Sequence, residues 1–92
     1  MTDIINSLQD LKATLEHCKA QENDERSIKS YDGHIRRTNE AIEHLKRTGF
    51  DKTIIYNFFH EEERNYGWSY LPNDHGRIAE EAFWNLKKKF GS

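Results

Sequence analysis

The sequence predicts an all-α fold, with four helices arranged as two antiparallel helical hairpins (residues 2–48 and 51–90) in one small bundle. Three observations predict it. Apolar residues recur at spacings of three and four along four separate segments, the pattern of a helix that buries one face. No run alternates with period two for long enough to argue a strand. Punctuation residues fall where helices end: Gly49, Gly67 and Gly91 each come after a helical segment, and Pro72 is the single proline.

The first helix starts at Thr2 or Asp3, either of which can cap it. Ile4, Leu8, Leu11, Leu15 and Cys18 form its apolar stripe. The next positions in phase, Glu22 and Glu25, are charged, so the stripe stops there. A second stripe begins in a new phase with Ile28, Tyr31, Ile35, Thr38, Ile42 and Leu45. The turn is therefore expected at Gln21–Glu25, with Asn23 or Asp24 capping the second helix. Gly33 opposes this, because glycine inside a helix costs about 1 kcal/mol relative to alanine. Asp32-Gly33 could itself be the turn, but the stripe passes through Gly33 without losing phase.

Arg47-Thr48-Gly49-Phe50-Asp51 closes the second helix and opens the third. Glycine supplies the left-handed residue, Phe50 can fold back on Leu45, and Asp51 caps the third helix. Phe50 and Ile55 match a hydrophobic staple. The third helix is expected from Lys52 to about Tyr66, with Ile54, Ile55, Phe58 and Phe59 apolar and His60-Glu61-Glu62-Glu63-Arg64 solvated. A loop from Ser69 to Asn73 leads to a fourth helix. Ile78, Ala79, Ala82, Phe83, Leu86 and Phe90 should form its inner face. Lys87, Lys88 and Lys89 in its last turn complement the helix dipole.

A chain of 92 residues makes one domain with a thin core. It is 35% apolar and 33% charged, which is poor in core and rich in surface, so docking on a partner or self-association would supplement it. The net charge is −2 and the pI is about 6.2, without the basic excess of a nucleic-acid binder. Cys18 is the one cysteine, which rules out an internal disulfide and fits a reducing compartment. With no signal peptide and no apolar run of membrane-spanning length, a cytoplasmic location is expected and no membrane partner.

Chemical signatures are weak. His60-Glu61 begins like a zinc-protease helix, but Arg64 stands where the second histidine belongs. Glu40 with His44, and His60 with Glu63, share helix faces as salt-bridged surfaces often do. His17 points about 100° away from Cys18 and is poorly placed as its base. No catalytic residue, metal site or cofactor is expected, and the chain reads as no enzyme.

Helix, glycine turn and helix over Ala41–Phe59 invite comparison with a DNA-binding helix-turn-helix. The second helix is apolar and then acidic, however, whereas recognition needs basic and amide side chains. Arg36, Arg37, Lys46 and Arg47 would carry nucleic-acid binding, but they are interleaved with Asp32, Glu40 and Glu43. The helix–GlyPhe–Asp–helix element occurs in many helical proteins and identifies none.

Aromatic residues mark a different surface. Ten of the eleven fall between Phe50 and Phe90. Tyr66, Trp68 and Tyr70 are clustered beside Pro72, and Tyr and Trp are enriched at binding hot spots. The neighbours Phe83 and Trp84 cannot both face one core, so one of them should lie at its boundary or outside it. The same holds for Phe58 with Phe59 and for Ile54 with Ile55. Tyr66, Trp68, Tyr70 and Trp84 are thus the expected contacts of a small regulatory, inhibitor or adaptor protein with a partner protein. The alternatives are a self-associating structural protein, such as a homodimer built on the stripes of the first two helices, and a weak nucleic-acid-binding regulator.

Overall fold

The structure is a computed structural model and describes residues 2–49, 51–64 and 74–91. The helices are α1 (Thr2–Ala20), α2 (Glu25–Thr48), α3 (Lys52–Arg64) and α4 (Asp74–Phe90). They form the expected all-α bundle of two antiparallel hairpins.

The first turn lies at residues 21–24, where the stripe changes phase. Asp24 caps α2 from an extended backbone, its carboxylate accepting from the Ser27 amide at 3.0 Å. The helix then runs unbroken through Gly33. At its far end Gly49 takes φ 80°, and its N–H donates to the Leu45 carbonyl at 2.9 Å. A side chain would be strained in that conformation, which is why the turn needs glycine. Asp51 opens α3, accepting from the Thr53 amide at 2.8 Å. The staple partner Phe50 lies outside the described residues.

Helix α1 buries Ile4, Leu8, Leu11, Leu15 and Cys18, the whole predicted stripe. It packs on α2 and α4. Contacts of Lys19 with Asp32 at 2.5 Å and of Lys12 with Asn39 at 2.9 Å set α1 and α2 antiparallel. Lys87–Glu63 at 2.6 Å ties α4 to α3. A core of Phe58, Phe59 and Phe83 joins these two helices edge to face, with centroids 5.5–6.3 Å apart. The resulting body measures 37 × 21 × 18 Å.

Three expectations change. On α2 the buried positions are Ser27, Tyr31, His34, Thr38, Ala41, Ile42 and Leu45, while Ile28 and Ile35 are only partly covered. The inner face is rotated toward α3, which adds a second contact that a single stripe does not anticipate. On α4 the inner face is Gly76, Ala79, Phe83 and Leu86, and Ile78 is 56% exposed. Ile78 lies one position off the 3–4 spacing of those residues and so points away from α1. Phe58 and Phe59 are both buried because α3 is covered from two sides: Ala41 and Phe58 line one space between α2 and α3, and Phe59 meets Phe83 of α4.

Candidate functional site: a buried charge cluster beside an open groove

The charged residues at the α2–α3 seam are not solvated. Glu62, expected among exposed carboxylates, is fully buried. It projects from α3 toward His34 and Arg37 of α2. His34 Nδ1 donates to Glu62 Oε2 at 2.5 Å, and Arg37 Nε donates to Oε1 at 2.6 Å. Arg37 Nη2 lies 3.1 Å from the same His34 nitrogen. One ring nitrogen cannot both donate its proton to the carboxylate and accept from the guanidinium. The shorter contact to the charged acceptor takes the proton, so the Arg37 approach is one between two donors.

The pattern that placed these residues was present in the sequence. Tyr31, His34, Thr38, Ala41 and Leu45 keep the 3–4 rhythm of a buried face. Glu62 continues Ile55 and Phe58 on α3. Residue identity argued against burial, since charged side chains are almost never fully buried unless paired. Here His34 and Arg37 both pair with Glu62.

Gly33 is part of the same arrangement. A Cβ at this position would stand 2.9 Å from Arg37 Nη1. The missing side chain gives the guanidinium a place to lie flat against α2 on its way to Glu62. The glycine that seemed to threaten the helix therefore serves its contact with α3.

Beside the cluster, α2 and α3 stand apart around a groove of about 520 Å³. Arg36, Ala41 and His44 line one wall; Ile54, Asn57 and Phe58 line the other. Arg37 and Glu62 close one end. His34 does not line the groove, whereas its partner Glu62 does, at the closed end.

Of the residues expected to bind a partner protein, Tyr66, Trp68 and Tyr70 lie outside the described residues. Trp84 is 40% exposed on α4. Its indole N–H donates to Glu80 at 3.1 Å, and Lys87 Nζ stands 5.3 Å from its ring centroid. Trp84, not Phe83, is thus the outer member of that pair. Of the basic residues considered for nucleic acid, Arg37 is tied to Glu62, while Arg36 and Lys46 lie 3.9 Å from Glu40 and Glu43. Arg47 is exposed in the last turn of α2.

Among the described residues no group of three or more His, Cys, Asp or Glu could hold a metal ion, and no helix is long and apolar enough to cross a membrane. Burial pushes the Cys18 thiol up from its ordinary range, which leaves less of the reactive thiolate. Fold and site together define a small four-helix bundle with an ionic cluster at one internal seam and an exposed tryptophan on another helix. Compared with known proteins, the chain matches no family model, no curated protein and no solved structure.

Proposed function

We propose that this chain is a small non-enzymatic regulator of the cytoplasm that acts by binding another protein through an aromatic surface on α3 and α4. The observation that carries the reading is Trp84. A large aromatic ring stays substantially in water while its orientation is set by Glu80 and Lys87. An ordered aromatic anchor loses little freedom on binding, which is what makes such residues effective hot spots. Tyr56 on α3 and Ile78 on α4 are also exposed, at 63% and 56%. Tyr66, Trp68 and Tyr70 belong to the same reading from the sequence.

The two alternatives draw less support. The α1 stripe that a homodimer would use is already buried against α2 and α4. The basic positions of α2 mostly face carboxylates within the chain, whereas phosphate binding needs cations free to replace counterions.

The test is affinity capture from host cells with the wild-type chain and Trp84→Ala in parallel. The variant should melt close to wild type, within about 1 kcal/mol, because the site is on the surface. A protein recovered with the wild type should be lost with the variant. Recovery that survives both Trp84→Ala and Tyr56→Ala would end this reading.

A further inference from the structure

We infer that α4 is the contact face of a two-fold homodimer, in which the α4 helices of two copies lie antiparallel and cross at Trp84. The inference goes beyond the proposed function and shares with it only the exposed position of Trp84.

The outward side of α4 carries a charge pattern that complements its own reverse. Glu81, Trp84 and Lys88 follow one another at spacings of three and four, so they stand on one side of the helix. All three are exposed. The acid lies one turn before the ring and the base one turn after it. Glu81 and Lys88 are seven residues apart, about 10.5 Å along the axis, too far to pair with each other. Neither is in an ion pair among the described residues. A second helix turned end for end about Trp84 sets Glu81 of each copy against Lys88 of the other, and ring against ring. Two-fold symmetry makes that ion pair twice. A parallel second helix in register would set acid against acid and base against base, so the charge order selects the antiparallel arrangement.

The neighbouring charges are used within the chain and orient the ring: Glu80 accepts its N–H, and Lys87 stands over it while bound to Glu63. The opposite side of α4, with Ala79, Phe83 and Leu86, is buried in the bundle. The dimer therefore forms from folded copies, without exposing their cores.

Sedimentation equilibrium of the purified full chain at low salt, from micromolar to millimolar concentration, tests this. The wild type should show a monomer–dimer equilibrium in that range. Glu81→Lys alone, or Lys88→Glu alone, sets like charges together at both symmetric contacts and should raise the dissociation constant about tenfold. Both reversals in one chain keep the net charge and restore the pairing, so the constant should return to within about threefold of wild type. Trp84→Ala should weaken association as well. Thermal melting checks that each variant is folded. A wild type that stays monomeric throughout overturns the inference. So do single reversals that leave association unchanged, and so does a double reversal that stays weak. No other protein is present in this experiment, so its result stands whatever the Trp84 capture returns.

Discussion

Helix α2 has two neighbours and meets them by different means. Toward α1 the contact is a stripe of Ile4, Leu8, Leu11, Leu15 and Cys18, all at most 3% exposed. Charged contacts there, such as Lys19–Asp32, stay at the wet margin, with side chains 41% and 52% exposed. Toward α3 the contact includes buried polar groups, with His34 and Glu62 at 2% and 1% side-chain exposure, beside a groove that Ala41, Ile54 and Phe58 border. Apolar contact is forgiving in direction and strong per unit area. Ionic contact is demanding in direction and weak in net energy. The first seam thus supplies stability, and the second fixes where α3 sits.

The largest expected effect breaks the second seam. Glu62→Leu leaves Arg37 and His34 without their acceptor and should cost about 3–5 kcal/mol in urea unfolding. Replacing all three together with Leu or Met should recover most of that loss, and an increase in stability is within the expected range. If the triple variant were as unstable as the single one, the cluster would be a main source of stability, and the contrast between the seams would collapse.

The next effect concerns the first seam's one flaw. The Tyr31 hydroxyl is fully buried and, among the described residues, has no hydrogen-bond partner. Burial, then the neighbouring Cys18 and Glu22, push its pKa up to about 12. The folded chain therefore holds this proton to higher pH than the unfolded chain, which releases it near 10. Stability from this group is intact below about pH 10 and falls as pH rises toward about 12, by roughly 2–3 kcal/mol. Tyr31→Phe should abolish that alkaline loss. At neutral pH it should also gain about 1 kcal/mol, since an unsatisfied buried group is removed. Urea midpoints at about pH 7, 10 and 11.5 measure both effects, since they bracket the ordinary tyrosine range. An unchanged alkaline slope in the variant would rule the assignment out.

The smallest effect tests how Gly33 is used. Gly33→Ala favours the helix by about 1 kcal/mol but pushes the Arg37 guanidinium from its seat. The two should nearly cancel. In an Arg37→Ala background the helix gain should appear in full. A double-mutant cycle reads the difference, and additive effects would show that Gly33 and Arg37 are not coupled.

The same contrast governs how much of the molecule is legible in its sequence. The α1 stripe, a cap at Asn23 or Asp24, the Gly49 turn and the exclusion of one of Phe83 and Trp84 from the core are readable from spacing and local chemistry alone. Such features are local, and each residue type agrees with its place. The α2–α3 seam resists because pattern and chemistry disagree there. His34 and Glu62 stand in phase with buried positions, but each is a residue that water normally keeps. Only the arrival of Arg37 beside them makes their burial tolerable, and no spacing rule within one helix announces a partner 25 or 28 residues away. Ile78 misleads for the opposite reason, being apolar in type but one position out of phase.

The length of α2 has a consequence for size. Its 24 residues at about 1.5 Å each span roughly 36 Å, and the whole body is 37 Å along its longest axis. One helix is therefore the ruler of the molecule. Residues inserted in the turns would widen the body without lengthening it, whereas an insertion within α2 would lengthen it and slide every partner downstream of the insertion out of register. The Lys12–Asn39, Lys19–Asp32 and Arg37–Glu62 contacts are graduations on that ruler. The chain thus has almost no freedom of length along its spine.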